Sequence, residues 1–89
     1  MAPKHSRPGA NIILGDVARN QARKLTPAER IAVDRALAVL AENPDAGHPR
    51  PTIEHGGPMW EYQAPGTSIR IIYTMTLRKT ILTVAYFEA

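Results

Sequence analysis

Cysteine is absent from the 89-residue chain, and aromatic residues are few: one Trp, one Phe and three Tyr. Without thiols there is no disulfide, no thiolate zinc site and no cysteine nucleophile, and a reducing, cytoplasmic setting is expected. Long apolar runs are missing too. Ile12–Leu14 is followed at once by Gly15 and Asp16, unlike a secretory signal, and nothing approaches the roughly 20 apolar residues of a membrane span, so no membrane partner is expected. There is no Walker loop, no dinucleotide fingerprint and no Gly-x-Ser-x-Gly elbow. His5, His48 and His55 lack the close spacing of a metal site, so neither metal nor other cofactor is expected.

What remains is a chain long enough for one domain and too short for two. Its net charge is +3 and its sequence pI about 9.7, which favours a polyanionic partner, either nucleic acid or an acidic protein. Residues 1–10 hold two prolines, a glycine and three basic side chains with almost nothing to bury, the composition of a disordered basic tail. Residues 11–89 then form the single domain.

Within it, Asn11–Leu14 reads as a short strand. Val17, Ala18, Gln21, Ala22 and Leu25 are spaced as the inner face of a helix over 17–25, capped by Asp16. Thr26-Pro27-Ala28-Glu29 is a capping box with proline at the first helical position, so a second helix starts there. Its apolar stripe is Val33, Ala36, Leu37 and Leu40, and Asn43-Pro44 stops it. The short connection predicts an antiparallel helix hairpin.

Residues 43–58 are so rich in proline and glycine that a long irregular loop is expected, carrying His48, Arg50, Glu54 and His55; loops of that length tend to be functional. Three segments then alternate as strands: 59–64, 69–76 and 80–87. The fold class expected is α+β, an N-terminal helix hairpin packed on a three- to four-stranded antiparallel sheet. Trp60, Tyr62, Ile69, Ile71, Tyr73, Leu82, Val84 and Tyr86 fall on the covered face, leaving Glu61, Gln63, Arg70, Ile72, Thr74 and Thr83 on the open one. On that face Arg70 is expected to pair with Glu61 unless it serves a phosphate.

The helix hairpin ending in Leu-Ala-Glu-Asn-Pro (40–44), the proline-rich segment, the strand with Trp60-Glu61-Tyr62, then Ile69-Arg70-Ile71-Ile72-Tyr73 and a last apolar strand together resemble the RelE/ParE superfamily of bacterial toxins. The resemblance covers nearly the whole chain after the tail. It implies the toxin half of a type II toxin–antitoxin pair, held by a cognate antitoxin. RelE-like members cleave mRNA on the ribosome; ParE-like members poison DNA gyrase without cutting RNA. Fold alone does not choose between them.

Cleavage by a ribose 2′-OH needs a proton acceptor, a proton donor and cations on the phosphate. The resemblance assigns Arg70 to the phosphate, with its fixed fork of donors. Glu61 and His55 are the candidate proton acceptors, and Arg50, His48 and Gln63 the candidate substrate-binding residues. Two departures count against cleavage. RelE carries lysines where this chain has Glu61 and Gln63, and the family's basic, histidine or tyrosine residues beyond the last strand have no counterpart in Tyr86-Phe87-Glu88-Ala89. The reading is therefore an RelE-like mRNA endonuclease, with a non-nucleolytic ParE-like toxin or a catalytically decayed toxin fold as the alternative.

Overall fold

A computed structural model describes residues 9–54 and 57–89, and the side chains of 9–50 and 58–89. The expected tail falls mostly outside these. At its end Ala10 is buried, and its amide donates to the Ala41 carbonyl at 2.7 Å. The element order is β1 (Asn11–Leu14), α1 (Asp16–Ala22), α2 (Pro27–Glu42), a 3-10 turn (Pro44–Ala46), β2 (His48–Glu54), β3 (Gly57–Gln63), β4 (Arg70–Met75) and β5 (Ile81–Glu88).

The five strands form one mixed sheet in the order β1-β5-β4-β3-β2, instead of the three- to four-stranded antiparallel sheet expected. β2 through β5 pair antiparallel with their neighbours, while β1 runs parallel to β5, Asn11 lying against Ile81 and Leu14 against Val84. The parallel pair needs a crossover, and the two helices supply it.

α2 begins as its sequence dictates. The Glu29 amide donates to the Thr26 hydroxyl at 3.1 Å and the Thr26 amide to the Glu29 carboxylate at 2.8 Å, closing the capping box over Pro27. α1 is shorter than expected and capped by the backbone of Gly15 without a side-chain bond; Lys24 and Leu25 turn out of the helix through bonds to Gln21 and Ala22. At seven residues it is about 10 Å long against about 24 Å for α2, so the two do not form a clear hairpin of matched arms. It packs chiefly on β5 and also touches β1, burying Ala18 and Ala22, while Val17 is exposed.

Val33, Ala36 and Leu40 of α2 meet Ile71, Tyr73, Leu82 and Val84 of the sheet in one apolar cluster, with Trp60 and Tyr62 packed at its edge. Each large aliphatic chain so buried contributes roughly 1.5–3 kcal/mol. Tyr73 keeps its polar end satisfied: its hydroxyl donates to the Pro44 carbonyl at 3.0 Å, and burial pushes the phenol up to about 12. Gly47 lies against that hydroxyl, and a Cβ there would overlap both it and the Glu61 carbonyl oxygen.

Residues 43–58 are not the loop expected. After the 3-10 turn they form β2, which pairs with β3 and shifts register between Pro49 and Ile53. Pro49 and Pro51 lack amide donors, which excludes them from a central strand but not from an edge, where β2 lies.

Candidate functional site

Residues paired across a sheet share a face, so the register settles which side chains lie opposite the helices. Glu61 pairs with both His48 and Ile72, and Gln63 with Arg70. Arg70 pairs in turn with Glu88, and Ile72 with Tyr86. The face left open by the helices thus gathers His48 and Arg50 from β2, Glu61 and Gln63 from β3, Arg70 from β4, and Tyr86 and Glu88 from β5.

Tyr86 and its neighbour Phe87 lie on the faces opposite to those the sequence predicts. Strict alternation along β5 puts Tyr86 in the core and Phe87 outside. The register shifts between Ile72 and Tyr73, so that Ile72 faces Tyr86 while Tyr73 faces Val84. Ala85 is the extra residue of a β-bulge, and beyond it the faces exchange. Phe87 is buried in the core, and its backbone is fixed by Gln21: the Phe87 amide donates to the Gln21 side chain at 2.7 Å, and that side chain donates back to the Phe87 carbonyl at 3.0 Å. Two adjacent aromatics, Tyr86-Phe87, in an apolar strand were the available signal, since a regular strand covers only one of them.

The charges form one connected group. Arg50 donates to Glu61 at 3.0 Å and to the two oxygens of Glu88 at 3.4 and 3.5 Å. Arg70 pairs with Glu88 at 3.1 Å. The expected partner of Arg70, Glu61, is instead held by Arg50, because Glu88 is the direct cross-strand neighbour of Arg70. Arg50, on β2, reaches over β3 and β4 to touch β5, and its side chain is only 16% exposed. Ile72, in register between Glu61 and Tyr86, is fully buried although it faces away from the helices; the longer chains around it close over it.

Arg70 stays more open, at 43% exposed, and Glu61 and Glu88 are 30% and 29% exposed. Gln63 donates to the Thr67 carbonyl at 2.7 Å, which ties it to the β3–β4 turn. His48 is exposed. His55 lies outside the described residues. The structure therefore brings Arg50, Glu61 and Arg70 into one network and adds Glu88 to it, with His48, Gln63 and Tyr86 around it. Chemically, the group offers two planar cations able to bind an anion through paired N–H donors and a carboxylate beside them able to accept a proton.

No family model matches the chain, and no curated protein matches it. Solved structures do. The toxin–antitoxin complex RelBE2 of Mycobacterium tuberculosis is matched at TM-score 0.73 and 21% identity over 90% of this chain and 90% of that one. The intact RelBE complex of E. coli is matched at TM-score 0.70 and 18% identity, over 88% and 93% of the two chains. A mutant of E. coli RelE in the free state, also at TM-score 0.70, is matched at 17% identity over 89% of this chain and 81% of that one. Since this last structure is of the toxin in its free state, the similarity is to the toxin chain, and the protein has the RelE toxin fold.

Proposed function

We propose that this protein is the toxin of a toxin–antitoxin pair and that it acts as an RelE-like, ribosome-dependent mRNA endonuclease through the open face of its sheet. The observation that carries the reading is the convergence of Arg50, Arg70 and Glu61 on that face in a chain whose neighbours are RelE toxins. Arg70 holds the phosphate, with Arg50 as a second cation. Glu61 takes the proton of the ribose 2′-OH as its oxygen bonds to phosphorus. The 5′ oxygen leaves with a proton from solvent or a neighbouring acid. No cofactor is required by this chemistry.

The partner follows from the same neighbours, two of which are complexes with an antitoxin. Arg19 of α1, Arg30 and Arg35 of α2, and Arg23 and Lys24 between them are all exposed and give the helix layer a basic surface suited to an acidic segment. Toeprinting of translating ribosomes tests the reading. The wild type cuts mRNA in the A site, and Arg70→Ala loses about 100-fold of that cleavage, the scale for removing one donor to a developing charge; uncut message at saturating protein rejects it.

A specific observation favours a second reading. Both arginines are already paired with carboxylates, and Glu61 and Gln63 stand where RelE has lysines. A non-nucleolytic toxin of the ParE kind, or a decayed toxin fold, has no need of a strongly cationic face. Growth arrest with intact mRNA and blocked gyrase supercoiling supports the ParE form; no growth effect supports the decayed one.

A further inference from the structure

Glu88 stands in an unusual place for a carboxylate on a face read as a phosphate site. Arg50 directs two of its nitrogens at the two Glu88 oxygens, at 3.4 and 3.5 Å, and Arg70 meets one of the same oxygens at 3.1 Å. The arginines come from β2 and β4, yet they converge on this one group from β5. Two planar guanidiniums aimed at a single pair of oxygens form the arrangement in which a phosphodiester is held, with both of its non-bridging oxygens accepting.

Glu61 does not fill the same role. Among the described residues it pairs with Arg50 and not with Arg70, and the only ion pair of Arg70 there is with Glu88. Glu88 also lies in the last register position of the β4–β5 ladder, opposite Arg70, so its side chain can turn away without breaking the sheet inside it. The four charges sum to zero. The two carboxylates thus offset the attraction of the two arginines for an incoming phosphate, and Glu88 is the one both arginines share.

We propose that Arg50 and Arg70 form one seat for an RNA phosphodiester, and that Glu88 fills this seat in the resting protein and must be displaced for RNA to bind. The inference rests on the open-face reading above, but it concerns binding and not cleavage. Glu88 is thus a residue that sets the affinity of the site, lowering it for isolated RNA. Only a strand delivered with help from other contacts, as on a ribosome, competes well.

The test is fluorescence anisotropy with a short labelled single-stranded RNA whose 2′ positions are O-methylated, so that no cleavage occurs. Glu88→Gln keeps the size of the side chain and removes its charge. It should tighten binding about five- to tenfold at low salt, with a steeper salt dependence, as expected when arginines regain a phosphate to neutralise. Glu42→Gln, the same charge removed from the exposed end of α2, should change affinity less than about twofold, since a solvent-exposed charge on the helix layer acts on the seat only weakly through water. In an Arg70→Ala background the gain from Glu88→Gln should fall to less than about twofold, because coupled partners lose their interaction together.

A Glu88→Gln protein that binds no tighter than Glu42→Gln, or a gain undiminished by Arg70→Ala, overturns the proposal. A measurement on the unaltered chain guards against a variant that folds poorly: saturation with the same RNA should shift the Glu88 side-chain carboxyl carbon resonance, and a bound protein with that signal unmoved overturns the proposal too. The two readings fail separately. Uncut message with tighter binding by Glu88→Gln removes the nuclease and keeps the seat; cleavage without that gain keeps the nuclease and removes the seat.

Discussion

The two faces of the sheet are built from the same strands, one residue apart, and yet they hold together by different means. The covered face presents Ile71, Tyr73, Leu82 and Val84, all without exposed surface, to α2. It is stabilised by removing apolar area from water, and the hydroxyl of the fully buried Tyr73 is bonded to Pro44. The open face presents charges that neutralise one another at 3.0–3.4 Å while remaining 16–43% exposed. The more exposed of these pairs, Arg70 with Glu88, is of the kind that contributes little to folding in water. The exposed charges of the open face are therefore separable from the fold: substitutions in the covered core should destabilise the protein, as would one at the buried Ile72, and those at the exposed charges should change what it binds.

The comparison breaks first, and most visibly, at Leu40. Leu40→Ala leaves a cavity between α2 and the sheet at a position with no exposed surface, and should cost about 3 kcal/mol in urea unfolding. A loss below about 1 kcal/mol would mean that α2 is not anchored on this face.

Gly47→Ala should come next, at about 2 kcal/mol, since the new methyl overlaps the Tyr73 hydroxyl and the Glu61 carbonyl oxygen, one of them backbone. This position joins the two faces, because it lies between the core tyrosine and the strand that carries Glu61. A melting temperature equal to that of wild type would show that the 3-10 turn is free to move.

Tyr73→Phe should cost about 1 kcal/mol at neutral pH, the usual net value of one hydrogen bond. It should also alter the alkaline limb. The Tyr73 phenol is pushed up to about 12 in the folded protein, chiefly by burial, against about 10 when unfolded. The unfolded chain therefore loses this proton first. The associated stability is complete below pH 10 and is lost as the pH rises toward 12. Unfolding curves at pH 9 and 11 should show a smaller drop for Tyr73→Phe than for wild type, and equal drops would rule this out.

The smallest effect belongs to the open face. Arg70→Ala removes one partly exposed ion pair and should change stability by less than about 1 kcal/mol, while it abolishes most of the proposed cleavage. A loss comparable to that of Leu40→Ala would show that the charge network holds the fold and would remove the distinction between the faces.

Local signals in the sequence were sufficient for elements whose cause is local. The start of α2 is written in Thr26-Pro27-Ala28-Glu29, since a cap involves only four residues, and the alternation in β3 and β4 gives their inward residues directly. The edge strand β2 was hidden because prolines 49 and 51 oppose a strand by every local rule, and only the vacancy of one hydrogen-bonding side at a sheet edge makes them acceptable. The parallel place of β1 beside β5 was likewise not legible, because pairing between residues 11–14 and 81–84 depends on how the helices cross over.

For the candidate site, the resemblance pointed to Arg70 and residue type to Arg50 and Glu61, because planar cations and a carboxylate are what phosphate chemistry uses. Their partners were a tertiary matter. One extra residue at Ala85 turned Tyr86 outward and Phe87 inward, and periodicity cannot foresee a bulge, since a shift of one residue leaves the pattern on either side of it intact. That register set Glu88 beside Arg70, and the order of the strands let Arg50 reach it. The sequence by itself thus determined the start and inner stripe of α2, the segments of β1, β3, β4 and β5, the inner faces of β3 and β4, and the chemical character of the open face. Only the assembled sheet decided which charges meet, because an ion pair between β2 and β5 exists nowhere along the chain and arises when β3 and β4 lie between them.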